Sequence, residues 1–365
     1  MRQEEIITYQ NYNFEKGLSM LKTTVVGSYP RKNKPKDTLR KPTVSDNEAM
    51  EMIKWAVEDQ CNIGLDIITD GEAYRENMYW FYQLRLDGIN CDNKKHKQFT
   101  VGGSMEGVDL SKVHDLVKEK GGFGIECAVI NEKIENPRWN LAKKWRHAQD
   151  WAKNGVIVKQ TITGPHMLSR FSVNERKDLY KDDIQLAFAY ADCIKSEIAE
   201  LEKLGCKHIQ LDEPVLTEAP QECIWAADVI NSIIDAFPKL KFGIHVCGGN
   251  AHRKRGYFGR YTEMLDGLKK LNVHEIHFEH CTLHYNMLDV FKDWDFNGIL
   301  SFGVIDQRTD EIESVEQVHK RIAPVLEYFD KDRILISSEC GFGHVPLEIT
   351  RAKLKILVEA AKSFN

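Results

Sequence analysis

No stretch of the 365-residue sequence approaches the roughly 20 consecutive apolar residues needed to span a bilayer, which argues against a helical membrane protein. The opening segment, MRQEEIITYQNYNFEKGLSM, also lacks the basic-then-apolar order of a secretion leader. Positive charge is not in excess. Fifty Lys and Arg face 55 Asp and Glu, a net of −5, which argues against a nucleic-acid partner held by bulk charge. The nine cysteines are odd in number and scattered, unlike a disulfide framework, and they suit a reducing cytoplasm. Familiar catalytic signatures are missing as well. VGGSMEG (Val101–Gly107) lacks the Lys-Ser/Thr ending of a phosphate-binding loop. No nicotinamide fingerprint follows the first apolar segment, and no Ser-His-Asp or Cys-His nucleophile arrangement is suggested.

What the sequence does have is a repeated pattern of apolar, β-branched segments that close on small or polar residues. They are Thr23–Pro30, Gly64–Glu72, Val156–Gly164, His208–Pro214, Phe242–Gly249, Glu275–His280, Gly298–Asp306 and Ile334–Gly341. Helical patterns lie between most of them. Ser45 with Glu48 forms a capping-box signal for a helix running toward Gln60. An amphipathic stretch from about Asp182 to Leu204 stops at Gly205, a C′ glycine. Further helices are predicted near Glu222–Ala236, Tyr261–Leu271, Glu313–Phe329 and Leu347–Ser363. Near-continuous apolar strands alternating with helices imply a parallel sheet covered on both faces. Eight such units predict an α/β protein of the closed (β/α)8 TIM-barrel class. The predicted organisation is an arm over residues 1–20 and a single barrel over 21–365. An insertion of helix and irregular chain, about 75–154, separates strands two and three.

Barrel enzymes carry their chemistry at the C-terminal ends of the strands. Ser28, Asp70, Glu72, Asp212, Glu213, His245, Cys247, Glu279, Asp306 and Cys340 all fall there. His245-Val246-Cys247 puts two soft ligands on one face of a strand, because side chains alternate with a period of two. Glu279 sits at the matching depth one strand later, with His277 and Cys281 on its face, and Cys340 ends strand eight. Two thiolates, an imidazole and a carboxylate suit Zn²⁺. Two Cys⁻ and one Glu⁻ around Zn²⁺ sum to −1, a poor setting for activating water but a good one for an incoming thiol, whose pKa the metal lowers. A carboxylate is the most easily displaced of the four ligands, so Glu279 could leave as substrate sulfur arrives. Spacing leaves His277 and Cys281 open as alternatives to Glu279.

The motifs VVGSYP, ITDGEAYREN, KQTITGPHML, IQLDEPVL, IHVCGGN, HFEHC, FGVID and SECGFG, in this order, resemble the C-terminal catalytic domain of cobalamin-independent methionine synthase over about residues 21–362. The resemblance implies a barrel of the methionine synthase type with zinc held by His245, Cys247, Glu279 and Cys340. It further implies that backbone near Val26 and the Ser28 hydroxyl hold the carboxylate of homocysteine, while Glu72 and Asp212 take its ammonium. Ion pairing of an amino acid by two strand-end carboxylates fits that picture; helix capping by Asp70, Glu72 or Asp212 is the other reading of those positions. Glu279, Asp306 and Arg308 are the candidate catalytic residues.

Three departures from the family pattern shape the rest. A short arm stands where the long enzyme has a second barrel, so the chain is more similar to the short single-barrel type, whose methyl donor is a methylcobalamin or corrinoid protein rather than a methyl-tetrahydrofolate. The family's Asp-x-His-Ser appears as Asp306-Gln307-Arg308-Thr309, and arginine stays protonated where a histidine would pass a proton. A folate leaving group needs a proton at nitrogen; a corrinoid leaving as Co(I) does not. HVCGGN and Arg308 also resemble relatives that alkylate other thiols, such as epoxyalkane:coenzyme M transferase, where a fixed cation could hold a sulfonate; here Arg253, Arg255 and Arg308 are the candidates, with surface arginines in polar loops the other reading of the first two. A third reading makes the metal structural in a non-catalytic binding protein. RKNKPKDTLRK (Arg31–Lys41) could steer an anionic donor or simply be solvated. MYWFYQL (Met78–Leu84) could line a flat cofactor wall or pack as helix.

Overall fold

The computed structural model describes residues 21–31, 43–100, 113 and 122–364. The predicted arm, most of the basic run after the first strand and the VGGSMEG segment lie outside the described residues.

Among the described residues twelve strands are formed: β1 (Lys22–Thr23), β2 (Ile67–Ile68), β3 (Asp87–Thr100), β4 (Gly122–Glu135), β5 (Ile157–Val158), β6 (Gln160–Thr163), β7 (Ser172–Asn174), β8 (His208–Asp212), β9 (Lys241–Val246), β10 (Glu275–Phe278), β11 (Ile299–Ile305) and β12 (Ile334–Ser338). Seven pair in the order β1-β12-β11-β10-β9-β8-β6, every pairing parallel. The ring closes on the other side. Thr24 bridges Ile67, β2 pairs with β5, and β5 runs into β6 through Lys159, whose N–H meets Ile68 O at 3.0 Å. Counting β5 and β6 as one, eight parallel strands surround the axis.

The strand alternation explains why the site is polar. Ile209, Leu211, Phe242, Ile244, Val246, Ile276 and Phe278 join the apolar core with the surrounding helices. Their neighbours point into the barrel instead. At its floor Glu275 on β10 pairs with His208 (3.2 Å) and Lys241 (3.0 Å). Higher up, His277 binds Ser301 Oγ at 2.8 Å, and its ring lies edge-on to His245 with centroids 5.1 Å apart. Register then carries Asp212 of β8 opposite His245 of β9, and His245 opposite His277 of β10. The top layer is therefore built from ionisable groups by strand pairing alone.

The helices follow their sequence signals closely. Ser45 and Glu48 make a reciprocal capping box, and the helix Asp46–Ile63 ends on Gly64 at φ +96°. Asp182 caps Asp183–Lys203, which stops before Gly205, and the last helix spans Leu347–Ser363. The predicted Glu313–Phe329 helix is shorter: Val315–Ile322 is α-helical and continues as a 3₁₀ turn over Ala323–Glu327, which contains Pro324.

The segment between strands two and three departs from the expectation of helix and irregular chain. It holds a long antiparallel pair, β3 with β4, widened by an irregularity between Asn90 and Lys95 and extended by β7 in parallel to β4. The helix Leu141–Trp151 that follows packs against Asp46–Ile63 and Asp183–Lys203 as a regular part of the outer ring. Because β7 belongs to the loop leaving β6, and Val113 bridges Arg255 in the loop leaving β9, the hairpin stands on the side where the strands end. Among the described residues no helix is long and apolar enough to cross a membrane.

Candidate metal centre and substrate pocket

His245, Cys247 and Cys340 converge at the barrel mouth, with their candidate ligand atoms within 4.8 Å of one another. The two sulfurs are 3.7 Å apart. A tetrahedral ion with two thiolates at about 2.3 Å would space them by about 3.8 Å. His245 Nδ1 lies 3.1 Å from Asp212 Oδ1, while its Nε2 is buried with no hydrogen-bond partner. That is the outer-carboxylate arrangement that fixes the tautomer of a metal-binding histidine and leaves its other nitrogen free. Geometry and donor chemistry both fit a divalent ion of the zinc type.

Without metal, these groups share protons unequally. The hydrogen bond to Cys340, reinforced by burial, pushes the Cys247 thiol up. Its counterpart, the bond from Cys247, dominates at Cys340; despite burial, and with help from His245 and Arg308, it brings that thiol down to about 5. Burial would lower the His245 pKa, but Asp212 and Cys340 outweigh it and hold it at about 10.

Glu279 is placed differently. It is buried at the end of β10, where its Oε2 pairs with Arg255 at 2.5 Å and accepts the Gly248 N–H at 3.0 Å. Its Oε1 pairs with Arg308. Arg308 also meets Glu339 Oε2 at 3.0 Å and Gly249 O at 2.8 Å. Asp306 shapes this corner by accepting the Arg308 backbone N–H at 2.9 Å. Neither alternative to Glu279 reaches the His/Cys/Cys group. His277 is spent on Ser301 and the Ser338 carbonyl, and the Cys281 N–H bonds back to Gly303. Of the three arginines considered for a sulfonate, Arg253 pairs with Asp310 at 2.7 Å, and the other two hold Glu279.

At the same mouth, Glu72 is part-buried on a left-handed backbone (φ +53°) between Thr161, whose hydroxyl donates to it at 2.5 Å, and Arg75 at 3.6 Å. Burial above all, then the nearby Asp212 and Asp70, raises its pKa against the pull of Arg75. A side chain on Gly27 would overlap the Glu72 carboxylate. Gln210 ties this side together, donating to Val26 O at 2.8 Å and Asp212 Oδ1 at 2.7 Å. Ser28 Oγ accepts the Gly343 N–H at 3.2 Å, and Ser28 O accepts the Phe342 N–H at 2.8 Å, so the glycines of SECGFG are seated on it.

The capping alternatives resolve one by one. Asp70 serves its own turn, accepting from Glu72 N and Tyr74 OH. Glu213, not Asp212, caps the helix Pro165–Arg170 through the N–H groups of His166 and Met167. In MYWFYQL, Trp80, Phe81 and Tyr82 are buried in packing. Five participants escaped the sequence reading: Glu339, Gln210, Lys159, and the Thr161 and Arg75 that hold Glu72. Glu339 directly precedes Cys340, and the need to neutralise Arg308 was its available signal. Lys159 is buried in the barrel wall with Nζ unpaired, and burial lowers its pKa against the fields of Glu275, Asp212 and Glu72.

Comparison with known proteins identifies the family. The family described as cobalamin-independent synthase, catalytic domain, matches residues 21–100 and 100–363. The chain belongs to this family. A methionine synthase from Sulfolobus acidocaldarius is 30% identical over 355 residues, 94% of this chain and 91% of that protein. One from Saccharolobus islandicus is 29% identical over 352 residues, covering 94% and 95%. The structure of a B12-independent methionine synthase from Shewanella sp. W3-18-1 in complex with selenomethionine superposes with a TM-score of 0.77 at 21% identity, covering 94% of this chain and 97% of that one. That likeness supports the barrel fold. The family member described here is an enzyme of the methyltransferase type, which sets aside a purely structural, non-catalytic role.

Proposed function

We propose that this enzyme binds Zn²⁺ through His245, Cys247 and Cys340 and methylates the sulfur of homocysteine, giving methionine. The observation that carries the reading is the His/Cys/Cys group at the same barrel mouth as two carboxylates, Asp212 beside His245 and Glu72 near Asp212. When bound, zinc would lower the pKa of the substrate thiol and keep its sulfur nucleophilic. The protein's own residues do the rest. Glu72, raised by burial and by its acidic neighbours, gains most when an ammonium arrives to compensate it. Asp212 orients His245 through Oδ1 and adds to the negative field that the ammonium meets. Ser28 and the backbone at Val26 complete the amino-acid cradle. Relatives named methionine synthases, and a structural neighbour solved with selenomethionine, support an amino-acid thiol substrate.

The two indications of the methyl donor point apart. The family's description as cobalamin-independent supports methyl-tetrahydrofolate over a corrinoid. Arg308, locked between Glu279 and Glu339, offers no proton to a folate nitrogen and supports a corrinoid donor. Methionine formed from each donor by the same zinc-loaded preparation decides between them. We place the reaction in the cytoplasm, where two sulfurs 3.7 Å apart stay reduced.

Titration calorimetry of the zinc-loaded enzyme tests the substrate. L-Homocysteine should bind and coenzyme M should not, since Arg253, Arg255 and Arg308 are already paired with carboxylates. Glu72→Gln should weaken homocysteine by roughly 30-fold, about 2 kcal/mol for a lost charged hydrogen bond. Binding of coenzyme M with silence toward homocysteine would move the reading to another thiol.

A further inference from the structure

Glu279 is the one expected ligand that the fold turns away from the metal centre. The other three already stand as they would around an ion, with sulfurs 3.7 Å apart and the unpartnered His245 Nε2 beside them. Both Glu279 oxygens are meanwhile committed, Oε2 to Arg255 at 2.5 Å and to Gly248 N–H at 3.0 Å, and Oε1 to Arg308.

The wider cluster is balanced. Two guanidinium groups face two carboxylates, Glu279 and Glu339, and all four residues are buried. Turning Glu279 toward the metal would take from Arg255 its carboxylate partner among the described residues, and unpairing a buried charge is strongly unfavourable. Charge at the metal points the same way. A divalent ion with two thiolates and a neutral imidazole is neutral, and a substrate thiolate then brings it to −1 with no ligand to expel.

We propose that Arg255 and Arg308 are positioning residues that hold Glu279 off the metal. The result is a three-ligand site of His245, Cys247 and Cys340 whose fourth position is open to the substrate thiol. This rests on the zinc reading above.

The test follows zinc and cobalt rather than turnover. In crystals of the zinc-loaded wild-type enzyme, both Glu279 oxygens should stay on the arginines. Glu279→Gln should leave zinc affinity, measured by chelator competition, within about threefold of wild type and the cobalt(II) d–d spectrum unchanged, whereas loss of a true ligand costs about 100-fold or more. Arg255→Met should free Glu279 to coordinate, changing the cobalt spectrum and tightening zinc about 10-fold. That change should vanish in Arg255→Met/Glu279→Gln and in Arg255→Lys. A Glu279 oxygen about 2.0–2.2 Å from zinc in the wild-type crystal overturns the proposal even if a variant fails to fold. Zinc bound with Glu279 in its shell sinks this inference alone; no zinc bound by the wild type sinks the zinc reading with it.

Discussion

Replacing Cys247 or Cys340 by serine should strip the enzyme of zinc and abolish methyl transfer. Serine is nearly isosteric, but its hydroxyl does not ionise near neutral pH and is a harder donor than a thiolate. A structural-type zinc site is worth about 10–16 kcal/mol, so one of three protein ligands carries roughly a third, or about 10²–10⁴-fold in affinity. The loss should be similar at either cysteine, because both sulfurs belong to one cluster 3.7 Å across. Asp212→Asn should cost less, about 10–100-fold, since Asp212 acts on the metal only by orienting His245. Cys61→Ser and Cys281→Ser serve as controls, because neither residue joins the cluster. Zinc content after gel filtration against a chelator reads the result. Retention of stoichiometric zinc by both Cys247→Ser and Cys340→Ser would end the assignment.

What made this site legible from sequence was strand periodicity. A period of two places His245 and Cys247 on one face, and parallel pairing carries Asp212, His245 and His277 to one level. The helices were equally legible where a local signal ended them, as at Ser45, Gly64 and Gly205. The surroundings of Glu279 were not. Arg255 sits eight residues past Cys247 on an irregular loop in which His252 and Arg253 adopt positive φ, so no repeat predicts where its guanidinium falls. Asp212 looked like a group reserved for substrate, yet its Oδ1 is shared between His245 and Gln210, a relation that depends on three-dimensional neighbours. The β3/β4 hairpin stayed hidden for another reason. Its NKKHKQ stretch has no alternation of apolar and polar residues, and its lysines are taken up by ion pairs: Lys94 with Glu126, Lys95 with Glu175 and Lys97 with Asp183. The partners of Lys95 and Lys97 lie far along the chain, beyond the reach of a local pattern.

Zinc affinity should rise steeply with pH, by about 100-fold per unit across roughly pH 6–9. The metal-free site explains the slope. At neutral pH His245 is protonated, with a pKa of about 10 set by Asp212 and Cys340 against the opposing effect of burial. Cys247 is a thiol, raised by its bond to Cys340 and by burial. Cys340 is already a thiolate, brought to about 5 chiefly by the bond from Cys247. Binding needs a neutral imidazole and two thiolates, so metal displaces one proton from His245 and one from Cys247, and acid competes with the ion for both places. Below about pH 5, Cys340 is protonated as well and a third proton must leave, so affinity should fall faster still. Independent groups at ordinary values would behave differently, because both cysteines would stay protonated at pH 7 and the third proton would enter near the ordinary histidine pKa of about 6.5. The metal-free enzyme should therefore show one thiolate in its 240-nm absorbance at pH 7, titrating near pH 5 and missing in Cys340→Ser. Calorimetry in buffers of different ionisation enthalpy should count two protons released per zinc at pH 7. Three protons released at pH 6, or no thiolate at pH 7, would mean that Asp212, His245 and the two cysteines do not share charge as one unit.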